Sequence, residues 1–161
     1  MLADITLETV SVFIHISAVV VGLGATFALA VAVPVAQRLG EPRNFPYIHH
    51  LSRTITQRLA SPALLVILIT GIFQAIHGDF SMGDAWISAT FVIVIILGGL
   101  QGAYFIPTDR RLAKLAEEEL ARGATKLSDD YLRQANREGG IGALAGLLIL
   151  IAVFLMVTKP G

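Results

Sequence analysis

The chain has 161 residues, twelve Lys or Arg against twelve Asp or Glu, and no cysteine. It is 55% hydrophobic and 15% charged, with mean hydropathy +0.72; a soluble domain would be roughly 45–50% apolar and about 25% charged. With no basic cluster interleaved with aromatics, nucleic-acid binding is excluded, and without cysteine so are disulfides, thiolate nucleophiles and iron–sulfur ligation.

The opening MLADITLETV carries Asp4 and Glu8 where a secretory signal has a positive n-region, so the first apolar stretch reads as retained. That stretch is free of Asp, Glu, Lys and Arg from Thr9 to Gln37, and its membrane span is placed at about 9–35. It exceeds the ~20 residues that cross a hydrocarbon core, so it must tilt or protrude. Pro34 is expected to mark its end. Gly22, Gly24, Ala28 and Ala32 are small, and the last three recur at intervals of four. Such spacing gives a flat face on which a neighbouring backbone approaches closely.

The first loop, 38–58, opens with helix breakers at Gly40, Pro42 and Pro46. From Tyr47 onward, Leu51, Ile55 and Leu59 share one face, which predicts a short amphipathic helix feeding into span two. His49 and His50, with Arg43, Arg53 and Arg58, read as a basic surface for anionic lipid.

Span two covers about 59–77, with a kink expected at Pro62. Gly78, Asp79, Ser81 and Gly83 predict a tight turn into span three, at about 85–106. A connection this short makes the two spans antiparallel neighbours. Trp86 and Tyr104 sit at opposite edges of span three, as interfacial aromatics prefer. Gly98 and Gly102 form a GxxxG pair.

The second loop, 107–138, is the one sizeable polar segment. Pro107 to Arg122 reads as helix, ended by Gly123, and Ser128 is a candidate N-cap for the next helix. The segment predicts a helical hairpin or helical extensions of spans three and four, too small for a core of its own. Glu117, Glu118 and Glu119 read as a solvated face, and Tyr131 as unremarkable. Span four, 139–158, is uncharged, with Gly142 and Gly146 as a further GxxxG pair.

Eleven of the twelve basic residues lie in the two loops and only Lys159 lies elsewhere. The expected fold is therefore an all-α, four-helix transmembrane bundle in a single membrane domain, 1–161. It sits in the inner (plasma) membrane with both termini outside, and the hairpin between spans three and four is cytoplasmic.

His15 is the sharpest candidate for chemistry. It sits inside span one, about 10 Å along the helix from Glu8, and an ionisable group at such depth is a functional hypothesis by default. Ala18, Gly22 and Thr26 share its face, which points that face into the bundle. Thr70, Gln74 and His77 form a polar seam on span two. His15 and His77 both fall in the outer half, where two imidazoles can ligate haem b iron or a metal ion. The plainer alternatives are a His15 hydrogen-bonded to a neighbouring helix and an interfacial His77. Gln74 and Gln101 either hydrogen-bond across the bundle or line a polar path.

Three stretches, FIHISAVVVGLGATFALAVAVPVAQR, GIFQAIHGDFSMGDAW and GAYFIPTDRRLAKL, resemble a family of small bacterial predicted integral membrane proteins of unknown function. The first helix is also similar to that of the copper-resistance D type and of the small four-helix membrane protoporphyrinogen oxidases. Those resemblances imply an early intramembrane His, here His15, and for the oxidases haem. The chain departs from them in having no Lys or Arg within its spans and in placing Val21 before Gly22.

No P-loop, GxSxG, GxGxxG or HExxH occurs. The leading expectation is a non-catalytic accessory or assembly subunit, homo-oligomeric or within a larger membrane complex. The alternatives are a haem or metal redox module using His15 and His77, and a small transporter or channel.

Overall fold

Four long runs of helix carry nearly all of the structure. In the computed structural model the described residues are 6–39, 41–78 and 83–160. The predicted turn residues Asp79 and Ser81, and Asp4, lie outside them. The helices are α1 (Leu7–Leu39), α2 (Phe45–Ile55), α3 (Ser61–His77), α4 (Ala85–Gly99), α5 (Ile106–Ala121) and α6 (Asp129–Thr158). A 3₁₀ turn, Pro42–Asn44, leads into α2. Four stretches are long and apolar enough to cross a membrane, Leu7–Arg38, Pro42–His77, Ala85–Ala121 and Asp129–Thr158, and no strand occurs among the described residues.

Two of these stretches are composite. A π-helical turn at Thr56–Ala60 joins α2 to α3, and another at Leu100–Phe105 joins α4 to α5. Each is followed at once by a proline in the first turn of the next helix, Pro62 and Pro107. A proline inside a helix has no N–H to donate and its ring crowds the carbonyl four residues back; a wider turn there absorbs the misfit. Pro34 behaves differently from expectation. It lies inside α1, which continues to Leu39. Neighbouring helices and local adjustment let such a proline persist in a membrane helix.

At 1.5 Å per residue, the 36- and 37-residue runs extend about 55 Å, well beyond a ~30 Å hydrocarbon core. The predicted loops are thus mostly helix projecting past the apolar bundle. We call this the loop end and the opposite side the terminal end.

The apolar bundle closes around Leu64 and Ile67 of α3, Ile93, Val94 and Leu97 of α4, and Ala145, Ile149 and Ala152 of α6, with Ala18, Val19 and Leu23 of α1 against them. The main pairings are α1 with α3 and α4 with α6, with lesser contacts of α1 with α6 and α3 with α4. Small residues set some of these distances. A Cβ added at Gly22 would meet Ala63 Cβ at 2.5 Å, while Gly98 and Gly146 face Leu64 and Phe27 at ordinary contact distances. Gly24, Gly102 and Gly142 meet nothing within 4 Å.

The loop end has a second buried cluster. Phe45 of α2, Leu112 and Ala116 of α5, and Leu127, Tyr131 and Ala135 around the start of α6 form it. The second loop is too small to do this alone, and α2 from the first loop completes it. Gly123, at φ +85°, ends the α5 segment in the left-handed region that glycine tolerates. The Ser128 hydroxyl then caps α6 by accepting from the Tyr131 N–H, and Glu119 holds the Ser128 N–H at 2.7 Å.

Candidate functional site

Two polar clusters interrupt the apolar packing. The first is built on the α1–α3 contact that Gly22 permits. His15 is 7% exposed. Its Nδ1 lies 2.7 Å from the Thr70 hydroxyl, whose proton goes to the Val66 carbonyl at 2.6 Å. Thr70 can then only accept from the ring, so Nδ1 carries the hydrogen and Nε2 presents its lone pair. That Nε2 is buried and has no hydrogen-bond partner. Gly71 lets the ring lie close: a Cβ there would stand 3.6 Å from His15 Cε1.

Beside His15 opens a cleft of about 540 Å³ between α1, α3, α4 and α6. Its walls are apolar, with Leu64, Ile67, Val94 and Ile149 among them. Its polar side chains are His15, Gln74, Trp86, Thr90 and Lys159. The Lys159 ammonium sits 6.0 Å from the Trp86 ring centre at the terminal end, a cation–π distance. A mostly apolar cavity with a few convergent polar groups is the general form of a small-molecule site.

His77 is placed elsewhere. It is exposed, stacks on Phe73 at 4.2 Å, and its Nδ1 lies 3.0 Å from the Phe73 carbonyl. It is not among the residues lining the cleft. Six and seven positions separate it from Gly71 and Thr70, the residues that hold His15, which is about 10 Å along α3. Of the predicted polar seam, Thr70 and Gln74 face α1, where the Gln74 amide donates to the Ser11 carbonyl at 3.4 Å. Gln101 accepts from Ser61 at 3.0 Å, tying the second π turn to α3. Both glutamines therefore hydrogen-bond across the bundle.

The second cluster was not anticipated. His49 does not join a basic lipid-facing surface: it is 1% exposed, whereas its neighbour His50 is exposed and pairs with Glu117 at 3.0 Å. Adjacent residues on a helix point about 100° apart, so α2 turns one ring inward and the other outward. His49 Nδ1 is 2.8 Å from Asp109 Oδ1, and Nε2 is 2.8 Å from the Tyr131 hydroxyl. Ser52 donates to the other Asp109 oxygen at 2.9 Å. Glu138 brings Oε2 to 3.9 Å from His49 Nδ1, and its Oε1 is buried with no partner. Tyr131 is fully buried and stacked on Phe45 at 5.9 Å.

Glu138 precedes the uncharged run 139–158, which is long enough by itself to cross a bilayer, so the cluster stands beyond the end of that run. Burial, helped by the nearby Asp109 charge, pushes the Glu138 carboxyl up to about 8. Burial likewise raises the Tyr131 hydroxyl above its usual range. The available sequence signal was the coincidence of His49, Asp109 and Glu138 near the polar ends of three different apolar runs. Nothing in their spacing said that they meet.

Searches of curated proteins and of solved structures found no match to the chain. A family model does match, over residues 9–160. Together with the four apolar helices, this establishes that the chain belongs to DUF2269, a family of predicted integral membrane proteins.

Proposed function

We propose that this protein is a non-catalytic accessory module of the membrane that holds an apolar redox cofactor, haem b or a quinol, in the cleft beside His15. The observation that carries the reading is the buried Nε2 lone pair of His15, unpartnered at the wall of a largely apolar cleft. A lone pair fixed there by Thr70 suits a ligand that brings either a metal centre or a hydroxyl donor. Haem in this place would supply one-electron chemistry; His15 would be the residue that holds its iron, and Lys159 would bring a positive charge towards its acidic groups. His77, held by Phe73, is not required.

The orientation follows the charge asymmetry: both loops inside the cell, both termini outside, in the plasma membrane. The exposed Gly24, Ala28 and Ala32 form a small-residue face on α1, and this supports contact with a second copy or a larger membrane complex. Gln74 and Gln101 act as ties between helices, which gives a transport path less support than a packed binding module.

The test is absorption spectroscopy and solvent extraction of the detergent-purified protein. About one haem or one quinol per chain, lost in His15→Ala, is expected. A colourless, quinol-free wild-type chain that takes up neither on reconstitution overturns the reading.

A further inference from the structure

We infer that the loop end carries a binding site for one divalent transition-metal ion of the zinc, manganese or iron(II) class, with His49, Asp109 and Glu138 as its protein ligands. The three residues come from α2, α5 and α6, and each offers a ligand atom within 4.8 Å of the other two. Ligand atoms on a shared metal at ~2.0–2.2 Å lie within about 4.4 Å of one another. His49 Nδ1 is 2.8 Å from Asp109 Oδ1 and 3.9 Å from Glu138 Oε2, inside that limit, so seating an ion on all three asks for a closure of at most a few tenths of an ångström.

Burial and charge point the same way. All three side chains are buried, with Glu138 9% exposed and its Oε1 left without a hydrogen bond. An orphaned carboxylate oxygen is costly in a folded interior, and a cation is the partner that would satisfy it. Metal ligands bind in their deprotonated form, and in that form two carboxylates and a neutral imidazole carry a charge of −2, which one divalent ion neutralises. One nitrogen and two carboxylate donors suit borderline ions and are too few oxygens for calcium.

The surroundings are those of a metal centre. The Tyr131 hydroxyl stands 2.8 Å from His49 Nε2, where it accepts the ring hydrogen once Nδ1 is a ligand. Ser52 fixes the Asp109 carboxylate through its second oxygen. Metal-bound imidazoles and carboxylates are regularly oriented by such outer partners. Asp109 and Glu138 also line a smaller cleft of about 110 Å³, shared with Gln37 and Ser52, which leaves room for water or substrate at the open positions.

The site is separate from His15 and does not depend on the reading given above for that residue. The experiment is equilibrium dialysis of the full-length, detergent-purified chain against zinc or manganese, followed by elemental analysis and a thermal melt. One equivalent of metal per chain and a rise in melting midpoint are expected. Glu138→Gln and Asp109→Asn, which keep shape and remove charge, should each weaken binding at least ~10–100-fold. Tyr131→Phe, an outer partner, should weaken it about 10-fold. His50→Ala, on the exposed side of the same helix, should change nothing. Wild-type protein that binds neither metal at one equivalent, or binding equally tight in Glu138→Gln, overturns the site. A Soret band or bound quinol that persists in Glu138→Gln keeps that outcome distinct from the His15 test.

Discussion

Gly22 of α1 lies so close to Ala63 of α3 that a Cβ at Gly22 would stand 2.5 Å from Ala63 Cβ. This contact sets how near the two helices run, and two turns towards the terminal end it brings His15 Nδ1 to Thr70. A one-carbon vacancy in one place thereby decides the register of a hydrogen bond in another.

Gly22→Ala should therefore destabilise the bundle by about 1–3 kcal/mol, the usual cost of overpacking a close contact. Gly24→Ala, where an added Cβ meets nothing within 4 Å, should cost little in the isolated chain. Thermal melts of the two variants in the same detergent make the comparison. Equal loss in both would mean that the α1–α3 distance is not set at Gly22.

Thr70→Val keeps shape and removes the hydroxyl that accepts from His15. Interhelical hydrogen bonds in membranes are worth about 0.6–2 kcal/mol, so that is the expected coupling in a double-mutant cycle with His15→Ala. With the tautomer no longer held, cofactor content should also fall in Thr70→Val. A coupling near zero would show that the 2.7 Å contact is not energetically formed.

At the loop end, Leu112→Ala should cost about 2–5 kcal/mol, as for other fully buried leucines. Tyr131→Phe keeps the stack on Phe45 and removes one hydroxyl, so a smaller loss of roughly 1–2 kcal/mol is expected. Limited proteolysis reads both, because opening of the second core exposes the 122–128 connection. Leu112→Ala should be cut faster than Tyr131→Phe.

The natural absence of cysteine makes topology directly measurable. With both loops inside, Lys126→Cys should resist a membrane-impermeant maleimide in intact cells and react after permeabilisation. Lys159→Cys should react in both. Labelling of Lys126→Cys from outside would reverse the orientation.

Much of the architecture was legible in the chain because membrane crossing is a composition problem. A run such as Thr9–Gln37, without Asp, Glu, Lys or Arg, has few alternatives to a spanning helix, and Ser128 and Gly123 mark a cap and a stop by local chemistry alone. The buried face of α1 was also legible, since Ala18, Gly22 and Thr26 follow His15 at helical spacing. The π turns were less so. Pro62 signalled a disturbance, but the form it took depends on what the neighbouring carbonyls do.

The pairing of distant polar residues was not legible. His49, Asp109 and Tyr131 are 60 and 82 positions apart from the first, and each looked like an ordinary member of a solvated segment. His49 and His50 are indistinguishable to any local rule, and the inward choice is made by which face of α2 meets α5. The same holds for Glu138, the last charged residue before an uncharged run.

By itself, the sequence determined that four helices are long and apolar enough to cross a lipid layer, which follows from local hydropathy and backbone hydrogen bonding. Only the tertiary structure decided which polar side chains meet and which stand alone. Burial, orphaned atoms and closely spaced carboxylates are properties of helices packed together, and no single helix carries them.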